Sequence, residues 1–227
     1  MIIPDNKNRE QSGFTIIELM IATTIFSFIL MICLSGIMQI TKMYYRAVTQ
    51  NKTREVARSI ADEIGESIRF TNQSINLGTT IIGPQINDLS AQDTGYFCIG
   101  EKRYSYAIDR QVKKAPDVNK KQKKHALWVD SGCVGGATVP ADLTVDLPTA
   151  DGEDLVPENM RLYNLSLTPV NDLSGIYKIS VGVAYGDDDL LNPKPDDSPI
   201  ELSCEGSFAG TEFCATTNFF VTVKKRL

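Results

Sequence analysis

The chain has 227 residues, 42% of them hydrophobic and 22% charged, and carries a formal charge of −5 at neutral pH. These averages exclude a disordered chain, a collagen-like chain and a polytopic membrane protein. The acidic balance also opposes generic nucleic-acid binding, which wants a basic footprint, and the length allows one or two domains.

The distribution is far from average. After a short polar start, Leu19 to Thr41 is a run of 23 residues without a charge, bounded by Glu18 and Lys42. As a helix it is about 34 Å long, enough to cross a hydrocarbon core of ~30 Å. No proline interrupts it. A buried core helix is the alternative, but such helices rarely stay uncharged over this length. A cleaved secretory signal fits poorly. Its apolar region is shorter, and a small-residue cleavage site should follow, whereas Lys42-Met43-Tyr44-Tyr45-Arg46 comes next. Glu18 stands at the edge of the run. A carboxylate in hydrocarbon is costly, so it implies either a partner or a headgroup position.

The residues around that edge carry a resemblance. Gly13-Phe14-Thr15-Ile16-Ile17-Glu18-Leu19, followed by the apolar run, resembles the class III signal of type IV prepilins and pseudopilins. The resemblance covers roughly the first 40 residues. It implies cleavage between Gly13 and Phe14 by a prepilin peptidase and N-methylation of Phe14. It makes Glu18 the assembly carboxylate, pairing with the Phe14 amine of a neighbouring subunit. In a low-dielectric setting that attraction is strong and an unpaired charge is costly, so the pair would set register in a growing filament.

Orientation needs two considerations weighed. Lys7 and Arg9 precede the run, whereas Lys42, Arg46, Lys52, Arg54 and Arg58 follow it. The positive-inside count alone would put the C-terminal flank in the cytoplasm. The resemblance requires the leader on the cytoplasmic side, and the distal cysteines suit an oxidising exterior. The expectation is a single-pass protein of the cytoplasmic (inner) membrane, N-terminus in and head outside. After assembly it would be part of a periplasmic or extracellular filament.

The helix is expected to continue past the membrane. Val56, Ala57, Ile60, Ala61, Ile64 and Ile68 form a stripe of period 3.6 among charged residues. Arg58–Asp62 and Glu55–Arg58 add modest pairing along it. One spine from Phe14 to about Phe70 would be about 85 Å long. A break near Thr49–Thr53, where propensity weakens, is the alternative. Gly36 and Gly65 would permit close approach or bending.

Beyond Asn72 the pattern changes. Residues 72–94 read as a loop with at most one strand, around Thr79–Ile82. Strand-like runs follow at Tyr96–Ile99, Arg103–Ile108, Ala126–Val129, Met160–Leu167, Ile176–Tyr185 and Asn218–Val223. Gly100-Glu101 suits a tight hairpin between the first two. The expected fold is α+β and pilin-like: a long N-terminal helical spine with an antiparallel β-sheet head. The expected divisions are a leader, 1–13; a helix, 14–70, with 19–41 transmembrane and 42–70 amphipathic; and an exported head, 71–227. That head is big enough for its own core.

Two charge blocks lie in the head. Arg110 to Lys124 holds seven basic residues and one acid; Gly186 to Glu201 holds six acids and one lysine. Each reads as a solvated loop, or as half of a pair attracted within or between subunits. The basic block would alternatively touch DNA or an anionic cell-surface polymer, with Lys120, Lys121, Lys123 and Lys124 at its centre. Asp187, Asp188, Asp189, Asp196 and Asp197 are weak calcium candidates, being hard oxygen ligands without EF-hand spacing.

Cys33 lies in the apolar run and reads as a small apolar residue. Cys98, Cys133, Cys204 and Cys214 form an even set in an exported domain, with three possible connectivities. The pairing expected is Cys98–Cys133 with Cys204–Cys214, the second resembling the C-terminal disulfide loop of many pilins. Zinc is a weak rival, with no C-x-x-C and His125 the single histidine. No catalytic motif is present, and Glu153–Glu158 reads as an acid-rich turn. No enzymatic site and no cofactor are expected.

The resemblance therefore implies a minor pilin or pseudopilin that enters or primes a type IV pilus-like or type II secretion-like filament. Its size and layout are similar to those of J-type pseudopilins and PilW-like minor pilins. Implied partners are other pilin subunits, the prepilin peptidase, a membrane assembly platform and the lipid bilayer. The rival reading is a filament-displayed adhesin or DNA-uptake module using the block 110–124.

Overall fold

The computed structural model describes residues 13–72, 75–76, 94–109, 111–112, 122–123, 125–133, 152–171, 175–193, 202–204 and 210–226. The first element is a helix, α1 (Ile16–Phe70). The chain divides into two compact units at Met43/Tyr44.

In the first unit the helix is long and apolar enough to cross a membrane. None of its side chains is buried within the protein. Its hydroxyls bond back to the helix itself. Thr23 donates to the carbonyl of Met20, Thr24 to Ile21, Ser27 to Thr23, Ser35 to Ile32 and Thr41 to Ile37. These bonds leave few unmet polar groups for an apolar surround to accommodate.

In the second unit Thr53, Ala57, Ile60, Ala61, Ile64, Gly65 and Ile68 are buried. This is the stripe the sequence predicts, with Val56 half-buried at its margin. The helix runs unbroken through Thr49–Thr53. There the Thr49 hydroxyl donates to the Tyr45 carbonyl and the buried Thr53 hydroxyl to the Thr49 carbonyl. Internal bonding and burial outweigh the weak propensity of the stretch.

The strands are β1 (Ile75–Asn76), β2 (Thr94–Ile99), β3 (Lys102–Ala107), β4 (Gln111–Val112), β5 (Gln122–Lys123), β6 (Leu127–Asp130) and β7 (Glu153–Asp154). They continue with β8 (Met160–Asn171), β9 (Ile176–Tyr185), β10 (Leu191–Pro193), β11 (Leu202–Cys204) and β12 (Ala215–Lys224). One sheet has the order β1-β2-β3-β6-β7 and a second β12-β9-β8, with two-stranded pairs β10-β11 and β4-β5. All pair antiparallel except β4 with β5. The α+β class with a long N-terminal helix and antiparallel sheets is thus observed. Residues 79–82 lie outside the described residues. Glu153–Asp154, expected as a turn, is instead a short edge strand on β6, because both residues continue the ladder at Trp128 and Val129.

One core joins the helix to both large sheets, through Ile60, Ile64, Phe97, Tyr104, Ile179 and Val181 among others. Phe97 and Tyr104 stack at 5.0 Å between centroids. The Tyr104 hydroxyl shares a hydrogen bond of 2.8 Å with Ser67 Oγ on the helix, and burial pushes its phenol pKa well above the ordinary range. Gly65 lets the helix lie close to β12. A Cβ there would lie 3.1 Å from Val223 Cγ2. Gly100, at φ +64°, opens the two-residue hairpin between β2 and β3.

Candidate functional site

The site builds from the start of the helix. Gly13, Phe14 and Thr15 are non-helical, and the helix begins at Ile16. Thr15 therefore stands at the N-cap and Glu18 at the third helical position. The Thr15 N–H donates to Glu18 Oε2 at 2.9 Å, and the Thr15 hydroxyl donates to the same oxygen at 2.8 Å. The Glu18 N–H donates back to Thr15 Oγ1 at 3.3 Å. This is a reciprocal capping box. It satisfies amides that the helix start would otherwise orphan, and it puts a carboxylate where the helix dipole favours one.

Two consequences follow from this geometry. The Gly13–Phe14 peptide lies outside the helix and is exposed. Glu18 is held against Thr15, the residue that follows Phe14, while remaining exposed. Thr15 lies within the motif that carries the resemblance, which assigns it no role. Its signal is the T-x-x-E spacing ahead of an apolar run.

Residues 8–34 match the family model for the prokaryotic N-terminal methylation motif. The N-terminal segment is prepilin-like. That motif belongs with substrates of prepilin peptidase that assemble with other pilin subunits, and its family is structural rather than catalytic. With the apolar helix it fits a membrane-anchored pilin. No curated protein and no solved structure matches the chain.

The other candidate residues lie in the second unit. Cys98 is bonded to Cys133, with Cα atoms 6.2 Å apart, and Cys204 to Cys214, at 5.8 Å. Cys33 is free and exposed. Next to the first disulfide, Arg103 and Asp130 form a buried bidentate pair at 2.9 and 2.5 Å. Sequence reading misses this pair, because nothing in the local pattern shows that β3 and β6 are neighbours.

The start of the acidic block is occupied by protein partners. The buried Arg161 guanidinium donates to Asp109 Oδ1 at 3.2 Å and the Gly186 carbonyl at 3.2 Å, and pairs with Asp188 Oδ1 at 2.6 Å. Gln111 Nε2 donates to the same carbonyl and to Asp187 Oδ1. Asp187 thus serves an amide and Asp188 a cation of this chain, and all three of Asp187, Asp188 and Asp189 are exposed. Among the described residues no group of three metal-ligating side chains converges. Asp196 and Asp197 lie outside the described residues, as do Arg110, residues 113–121 and Lys124. Lys120 and Lys121 are among these, and only the backbone of Lys123 is described.

His125 Nδ1 lies 3.0 Å from Asp154 Oδ2. Burial raises the Asp154 carboxyl above its ordinary value, opposed by hydrogen bonds from Val156 N–H, His125 and Leu127 N–H. The pair lies where β7 joins β6, and the His125 ring meets that of Trp128 edge-on.

Proposed function

We propose that the chain is a minor pilin or pseudopilin of the J-type or PilW-like kind. Prepilin peptidase cuts Gly13–Phe14 and methylates Phe14. The mature subunit then enters or primes a type IV pilus-like or type II secretion-like filament. The head, from residue 71 onward, is exported with the N-terminus held inside until processing, and residues 19–41 span the bilayer.

The observation that carries this reading is the capping box. It starts the helix at Ile16, so the scissile bond lies outside it, and it binds Glu18 to Thr15, the residue next to the future amine. In assembly, the amine of a neighbouring Phe14 would take the place of the Thr15 contacts on the Glu18 carboxylate. The test is Glu18→Val with sheared-filament immunoblotting. Processing should stay at the wild-type level while the amount of subunit in filaments falls at least tenfold. Wild-type incorporation would remove Glu18 from the assembly role.

The rival reading, DNA or surface-polymer binding through residues 110–124, has less support. Gln111 at the root of that block is tied to Gly186 and Asp187 at the root of the acidic block. This brings the start of one block beside the start of the other.

A further inference from the structure

Four phenylalanines of the second unit bear on one question: what covers an exposed ring. Phe97 is in the core. Phe70 and Phe220 are exposed, and each has a cation over its face, Arg226 and Lys178 respectively, at 5.5 Å from the centroid. Such rings suit water. Phe213 is 45% exposed and its ring partner is different. It lies 5.4 Å from the ring of Tyr45, which is itself 6.0 Å from Tyr44.

Tyr44 and Tyr45 follow the apolar run after Lys42 and Met43. Tyr45 is four residues past Thr41, about 6 Å along a helix. Paired tyrosines at the end of an apolar span are the signature of a bilayer interface, where an aromatic body meets headgroups. Lys42 and Arg46 flank them, as suits anionic phospholipid.

The residue facing Tyr45 is presented by a closed device. Phe213 ends a 3-10 turn, Thr211–Phe213, its N–H donating to the Gly210 carbonyl at 2.9 Å. Gly210 has φ +109°, in the region that favours glycine, and its N–H donates to Glu212 Oε2. The next residue, Cys214, is buried and bonded to Cys204. The disulfide thus fixes a turn whose tip is an uncovered phenylalanine beside an interfacial tyrosine.

We propose that this disulfide-closed turn is a second membrane contact, with Phe213 inserted at the headgroup–acyl boundary of the bilayer beside Tyr45. The occupant of the patch is phospholipid, because Tyr44 and Tyr45 lie within four residues of the end of the apolar run and between Lys42 and Arg46. The inference rests on the reading of residues 19–41 as membrane-spanning.

The test uses the full chain with Phe213→Trp in phosphatidylcholine–phosphatidylglycerol vesicles, with and without acyl chains brominated near the headgroup. The wild-type chain, whose single tryptophan is the buried Trp128, supplies the emission to subtract. Bromolipid should cut the remaining emission at least twofold. If the variant floats with vesicles but that emission is unchanged, the turn does not touch lipid and this proposal fails alone. If neither chain floats with vesicles, the membrane-spanning reading fails and takes this proposal with it.

Discussion

The two halves of α1 put the same residue types to opposite uses. Ile29, in the first half, is 53% exposed; Ile64, in the second, is 0% exposed. The first half is apolar on every side, so no single face can be matched by one protein partner, and it calls for an apolar surround. The second half confines its isoleucines and alanines to one stripe, with Arg58, Asp62 and Glu66 on other faces, and brings its own partner in the two sheets. A helix reads as membrane or core by the width of its apolar surface as well as by its hydrophobicity.

The largest break in that contrast should come from truncating one isoleucine in each half. Ile64→Ala should destabilise the second unit by about 2–5 kcal/mol, the range for a buried large-to-small change. Ile29→Ala should leave its thermal unfolding unchanged. Equal effects in calorimetry of the detergent-solubilised protein would erase the distinction. Next, Leu30→Arg places a charge at mid-span and should oppose membrane insertion by about 3 kcal/mol. Flotation would read this as a shift from membrane to soluble or degraded chain, whereas an unaffected membrane fraction would speak against a span. The smallest effect sharpens the second half. Tyr104→Phe removes the hydroxyl shared with Ser67 and should cost about 1 kcal/mol in denaturant unfolding. No change would mean that the contact adds nothing to helix docking.

Much of this organisation is legible in the sequence because it is periodic. The uncharged run, the 3.6-residue stripe and the alternation of Ile176–Tyr185 each repeat a signal over many residues, and the helix and the strand they predict appear in place, though the strand buries residues 179–184 without alternation. β7 is only two residues long and has no period to read. β8 extends past Leu167 through Pro169, which an edge strand tolerates. The sheet orders, the Arg103–Asp130 pair and the Arg161 cluster depend on which distant segments become neighbours. Gln111 and Asp187, for example, are 76 residues apart. At the candidate site the reverse holds. Everything that positions Glu18 lies within three residues of it, so the site is local and the sequence nearly spells it out. Thr15 stands in the quoted motif without a role, and capping chemistry supplies one.

The central claim is that Gly13–Phe14 is cut and Phe14 is methylated. Mass spectrometry of the mature N-terminus from membranes of a host with an active prepilin peptidase tests it most directly. The account predicts a terminal peptide that begins at N-methylated Phe14, with residues 1–13 gone. A chain that keeps Met1, or one cut after Thr41, would contradict it.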